Sequence, residues 1–155
     1  MKLSDRQPET SRNVPLRVLM IEDVEDDAKL ILHALRRGGY QVYAERVDTT
    51  PTLREALRRA QWDLITCDWV LPRLHPVEAL NAILEYGLDT PIIVVSGELA
   101  EEVSVSSLRN GAHDYINKHA LTMLLPKVQR QLREARERTR QRAAQDGQRR
   151  RSTPG

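Results

Sequence analysis

Five times along the chain an apolar run of four to seven residues is followed by a segment whose apolar residues recur at helical spacing. Strands are expected at 17–23, 41–47, 64–68, 91–96 and 114–117, and helices at about 26–37, 51–60, 76–86, 100–110 and from about 121. Strict strand–helix alternation separates successive strands by crossovers rather than tight turns, so the strands must run parallel with helices packed on both faces. The run Ile-Ile-Val-Val at 92–95 is apolar on both of its alternating faces, as a central strand covered on each side requires. The fold class is therefore α/β, a doubly wound five-stranded parallel sheet.

Local chemistry supports the boundaries. Thr50 followed by Pro51 reads as an N-cap and a first-turn proline, with Leu53, Ala56, Leu57 and Ala60 then at helical spacing. Gly38-Gly39 and Asn110-Gly111 stand where helices end and the backbone has to take positive φ.

At 155 residues, 40% of them hydrophobic, the chain can fill one core although it contains no Phe. The expected organisation is a disordered leader over 1–15, one domain over 16–136, and a basic helical extension ending in a disordered tail over 137–155. Net charge is +2. It is unevenly placed: residues 1–126 carry 14 Lys and Arg against 19 Asp and Glu, and residues 127–155 carry 10 against 3. Cys67 is the single cysteine, which excludes an internal disulfide, and no apolar run is long enough to span a bilayer. With no apolar signal segment, the expected setting is cytoplasmic, with no membrane partner.

Chemistry gathers at the strand ends. The first strand stops on Glu22 and Asp23 and the third on Asp68. In a parallel sheet all carboxyl ends lie along one edge, where open α/β sheets bind their ligands. Three carboxylates there repel one another and create a demand for a cation, and oxygen-only ligands suit Mg²⁺. The fourth strand brings Ser96 to the same edge and the fifth brings Lys118. A hydroxyl and an ammonium beside a metal-binding acid cluster suit a doubly charged oxyanion such as phosphoryl.

These residues resemble the receiver domain of two-component response regulators over about residues 16–136. The resemblance rests on the acid pair Glu22 and Asp23, on Asp68 with Pro72 four residues on, on Ser96, and on "GAHDYINK" with Tyr115 and Lys118. It implies a flavodoxin-like sheet of order 2-1-3-4-5 and a phosphoacceptor that assists its own phosphorylation and dephosphorylation without being an enzyme. It further implies that Asp68 takes the phosphoryl group from a histidine kinase or phosphotransfer protein. Asp23 is then expected to bind Mg²⁺ directly, Glu22 mainly through water, and the main-chain carbonyl of Val70 to add a ligand beside Asp68. Lys118 is expected to neutralise one phosphoryl oxygen and Ser96 to hydrogen-bond another. Tyr115 matches the family's switch aromatic, which swings inward when Ser96 is drawn to the phosphoryl group.

Two departures from the family pattern stand out. His75-Pro76 replaces an Asp-Gly pair, and proline, with φ fixed near −65°, starts the next helix rather than a flexible turn. Lys118 is followed by His119 instead of proline, which puts a cis peptide there in doubt. The four histidines, His33, His75, His113 and His119, show no metal-ligand spacing and read as surface residues. Cys67 alternates away from Asp68 along its strand and reads as a buried structural thiol.

Other readings stay open. A phosphohydrolase using Asp68 as nucleophile with Mg²⁺ lacks the second acid it needs two residues on, where Val70 sits. A nucleotide- or flavin-binding domain lacks glycines in the first strand–helix loop, "EDVEDDA". A nucleic-acid contact through the basic tail is disfavoured by the absence of a recognition-helix motif and the 4% aromatic content. No effector domain is expected within residues 137–155, so the output is expected through a downstream protein partner, or the chain is the receiver module of a hybrid sensor protein. Leu121, Leu125, Val128, Leu132 and Ala135 form a stripe at spacings of four and three. Its far end is expected to lack a partner within its own domain, which suggests a homodimer through the C-terminal helix.

Overall fold

The computed structural model describes residues 14–87, 89–97 and 101–152. Most of the expected leader, 1–13, lies outside the described residues. The chain alternates β1 (Val14–Ile21), α1 (Glu25–Arg37), β2 (Tyr40–Val47), α2 (Thr50–Arg59), β3 (Leu64–Cys67), α3 (Pro76–Glu85), β4 (Ile92–Ser96), α4 (Glu101–Arg109) and β5 (Asp114–Asn117). A 3-10 segment, Lys118–Met123, then leads into α5 (Leu124–Ser152). All strand pairs are parallel, and the order is β2-β1-β3-β4-β5, the doubly wound arrangement expected.

The period-two alternation of each strand splits the core in two. Leu19 and Ile21 of β1, Ile65 and Cys67 of β3, and Ile92 and Val94 of β4 pack under Leu53, Ala56 and Leu57 of α2 and Ala79, Leu80 and Ile83 of α3. Val18, Met20, Leu64, Ile93 and Val95 face the other way, under Ala28, Ile31 and Leu35 of α1 and Leu124 and Val128 of α5. The Leu, Ile, Val and Met side chains among these contribute about 1.5–3 kcal/mol each when fully buried, so both layers of helices are held by ordinary apolar burial.

Several boundaries differ from the sequence reading, each for a local reason. Val14 and Pro15, placed in the leader, belong to β1. There β1 pairs with β2 alone, because β3 joins only from Val18, and a proline near a strand's start removes no needed ladder donor. The N-cap of α2 is Thr49 rather than Thr50: Thr49 and Thr52 form a reciprocal capping box, with Pro51 still in the first turn. Positive φ falls on Gly39 and Gly111, as expected of the two helix ends.

The last helix shows the largest difference. It begins at Leu124, and Leu124 with Val128 supplies its fully buried positions. Leu121 and Leu132 pack against the same cluster, so Leu132 does have a partner within its own domain. The helix continues through Ser152, past the expected start of an irregular tail. Arg, Gln and Ala are good helix formers, and Gly147 costs only about 1 kcal/mol relative to alanine. Arg142 pairs with Asp89 at 2.8 Å, Thr139 donates to the same carboxylate at 3.1 Å, and Arg138 donates to the Asp89 carbonyl at 3.1 Å. These contacts tie the extension to the loop before β4.

Candidate functional site

At the carboxyl edge β1 ends at Ile21 and β3 at Cys67, so Glu22, Asp23 and Asp68 are the first residues beyond the ladder. Asp68 N–H still donates to the Ile21 carbonyl at 2.9 Å, and Glu22 N–H to the Val47 carbonyl at 3.0 Å, which fixes both backbones to neighbouring strands. The carboxylates of Glu22, Asp23 and Asp68 converge, one oxygen from each lying within 4.8 Å of the others. Glu22 and Asp68 are buried, at 2% and 6% exposure, and Asp23 is half-buried. Hard oxygen donors at this spacing fit Mg²⁺, which asks for one or two carboxylates and keeps waters elsewhere.

Lys118 enters from the end of β5. Its Nζ lies 2.8 Å from Glu22 Oε1, 2.9 Å from Asp68 Oδ2 and 2.7 Å from Asp27 Oδ2. An ammonium has three donors, and each is met by a carboxylate. Burial opposes the charge on Lys118, but the bonds to Asp27, Glu22 and Asp68 outweigh it and hold its pKa above the usual lysine range. Burial pushes the Glu22 carboxyl up to about 7, with the nearby Asp68 charge adding to this and Lys118 and the Val24 amide opposing it. The other oxygens are also engaged: Glu22 Oε2 accepts from Val24 N–H at 3.1 Å, and Asp68 Oδ1 accepts from Val70 N–H at 3.2 Å.

The departure at His119 has a local solution. The Lys118–His119 peptide is trans. Asn117 accepts from His119 N–H at 2.7 Å and caps the 3-10 segment, turning the chain immediately after the lysine. His75 caps α3, accepting from Val77 N–H at 3.1 Å, with Pro76 in the first turn as the sequence suggested.

Ser96 closes β4 as a fully buried residue and is paired in register with Asn117, on the same edge as the acids. Tyr115 is not part of the acid cluster. It pairs with Val94 and packs half-buried against the core that contains Cys67. Cys67 itself is fully buried, as expected, and burial raises its thiol pKa, with the nearby Asp68 and Glu22 charges adding to this.

The sequence reading missed two residues at the site and misplaced a third elsewhere. Asp27 stands in the first turn of α1, four residues after Asp23, a spacing that could have flagged it. Arg46, next to last in β2, donates to the Glu22 carbonyl at 3.2 Å and the Asp23 carbonyl at 3.5 Å, pinning the acidic loop from the side. Of the histidines read as surface residues, His113 is half-buried and its Nδ1 accepts from Ile92 N–H at 3.0 Å.

A profile of the response regulator receiver domain matches residues 18–129, which include every residue of this site. The chain belongs to that family. It is similar to the chemotaxis protein CheY of Treponema pallidum (strain Nichols), with 29% identity over 75% of this chain and 83% of that one. The alkaline phosphatase synthesis transcriptional regulatory protein PhoP of Bacillus subtilis (strain 168) is 31% identical over 66% of this chain. That match covers 42% of PhoP, so the chain spans less than half the length of such a regulator. Among solved structures it is similar to the receiver domain of a sensor histidine kinase from Pseudomonas aeruginosa PAO1, in which a magnesium ion is coordinated in the active-site cleft. That likeness has a TM-score of 0.64 and 26% identity over 77% of this chain and 98% of that one. Among the described residues, no helix of this receiver is long and apolar enough to cross a membrane.

Proposed function

We propose that this receiver accepts a phosphoryl group on Asp68 from a phosphohistidine of a histidine kinase or phosphotransfer protein. The observation that carries the reading is the convergence of Asp68 with Glu22, Asp23 and the Lys118 ammonium on one sheet edge. A carboxylate oxygen of Asp68 attacks phosphorus, the O–P bond forms as the donor's N–P bond breaks, and the imidazole, already protonated on its other ring nitrogen, leaves with the electron pair. The products are an aspartyl phosphate and a neutral histidine. Mg²⁺, when bound, supplies a divalent charge that screens the carboxylates from the incoming phosphoryl oxygens. Asp23 would hold it directly, Asp68 and the Val70 carbonyl would contribute further ligands, and Glu22 would act mainly through water. Lys118 neutralises a phosphoryl oxygen and Ser96 hydrogen-bonds another, so the protein's part is positioning and charge stabilisation. The family is typically a non-enzymatic phosphoacceptor. The signal then passes to a downstream protein partner through a surface change that starts from the buried Ser96 and the half-buried Tyr115.

The test is covalent labelling. Incubated with Mg²⁺ and a small phosphodonor, the protein should gain one hydroxylamine-sensitive phosphoryl group, and Asp68→Asn should gain none. A label of unchanged stoichiometry in Asp68→Asn would remove Asp68 from the role.

A further inference from the structure

Lys118 touches three carboxylates, and they differ in what else they are placed to do. Glu22 and Asp68 are buried and share with Asp23 the space in which one cation could meet all three. Asp27 lies outside that set. It comes from the first turn of α1, its side chain is 32% exposed, and at 2.7 Å it makes the shortest of the three contacts to Nζ. Lys118 therefore sits on one oxygen each of Glu22 and Asp68, two of the three residues whose carboxylates could meet one cation, while Asp27, outside that set, offers the same ammonium another partner. An ammonium and a divalent cation on the same carboxylate repel one another, so Mg²⁺ binding is opposed while Lys118 stays on Glu22 and Asp68.

We propose that Asp27 is a positioning residue that holds the Lys118 ammonium at the side of the site, so that Mg²⁺ can take the oxygens of the acid triad while the lysine stays within reach of Asp68. The proposal rests on the reading of Glu22, Asp23 and Asp68 as the metal site of a phosphoacceptor. It assigns Asp27 a role carried through Lys118. A carboxylate that merely favoured the positive end of α1 would act on helix stability and would have no reason to couple to that lysine.

A double-mutant cycle on the full chain separates these roles. Mg²⁺ binding is followed by tryptophan emission, since Trp69 is the neighbour of Asp68 in the chain. With Asp27→Asn the ammonium loses its partner outside the triad and remains on Glu22 and Asp68, so apparent Mg²⁺ affinity should fall about five- to tenfold. Asp27→Glu, which keeps the charge, should restore most of the loss. In a Lys118→Met background the same Asp27→Asn change removes only a part-exposed charge and should alter affinity by less than about twofold. The rate of labelling by a small phosphodonor at sub-saturating Mg²⁺ should follow the affinities. Equal losses in the two backgrounds would reduce Asp27 to a general field effect and overturn the proposal, with the phosphoacceptor reading left standing. Asp23→Ala serves as the control on the site itself: an unchanged Mg²⁺ response there would overturn the metal site, and the role of Asp27 with it.

Discussion

Removing the ammonium of Lys118 leaves Glu22 and Asp68, both nearly free of solvent, facing one another without the cation that touches them. Breaking a buried ion pair from one side generally costs about 3–5 kcal/mol, because the remaining charge is uncompensated. In Lys118→Met, urea unfolding without metal should show a loss of about 3 kcal/mol, the low end being set by the partial exposure of Asp23 and Asp27 around the site. Saturating Mg²⁺ should recover much of it, since a ligand that binds only the folded state stabilises by mass action. A variant as stable as the parent in the absence of metal would mean that the three contacts hold no buried charge in balance. At this scale the sequence was informative wherever a side chain ends a strand: Glu22, Asp23, Asp68, Ser96 and Lys118 follow from the rule that parallel strands share one carboxyl edge. Asp27 and Arg46 reach the site from a helix turn and from the flank of an edge strand. Their arrival depends on side-chain direction in three dimensions, which strand-end logic does not encode.

Between elements, the start of the β4–β5 ladder is completed by a side chain. His113 N–H donates to the Ile92 carbonyl at 2.8 Å, and its ring Nδ1 accepts from Ile92 N–H at 3.0 Å. An imidazolium has no acceptor at Nδ1, so protonation breaks the second bond. Burial lowers the His113 pKa, the Arg138 charge adds to this and Glu134 opposes it. With the folded-state pKa below the unfolded value of about 6.5, the unfolded chain binds the proton first. The stability that neutral His113 contributes is thus present above about pH 6.5 and is lost as the pH falls below it. Urea midpoints measured at pH 7.5 and 5.5 should drop for the parent and drop less for His113→Asn, which keeps an acceptor and has no charge to gain. Equal drops would assign the effect to other groups. This histidine could not be told from a surface residue in the sequence, because its partner is a backbone amide 21 residues away. The shift of the α2 cap from Thr50 to Thr49 has a similar origin: adjacent threonines offer the same chemistry, and the reciprocal bond with Thr52 selects between them.

Across the whole molecule, charge and architecture run together: the carboxyl edge of the sheet collects the acids, and the basic residues line the helix that leaves by the opposite end. The sequence showed this helix beginning and showed its apolar stripe fading after Ala135, but not what holds the remainder. Most helical stability in proteins comes from packing of an apolar face, and the part of α5 beyond Arg136 is mostly exposed. Its tether is the group of contacts from Arg138, Thr139 and Arg142 to Asp89, whose own side chain is 20% exposed. Asp89→Ala removes the carboxylate that receives Thr139 and Arg142 while the Asp89 carbonyl still receives Arg138. Amide exchange over residues 138–145 should then accelerate about tenfold, the equivalent of roughly 1.4 kcal/mol of local opening. The amides of β1 and β4 should keep their protection, because Leu124 and Val128 still seal the first turns of α5 onto the sheet. Unchanged exchange in 138–145 would mean that the extension is supported by its own helical propensity and the i,i+3 pair of Glu137 and Arg140. Faster exchange throughout α5 and the sheet would instead make Asp89 part of the global core rather than a local tether.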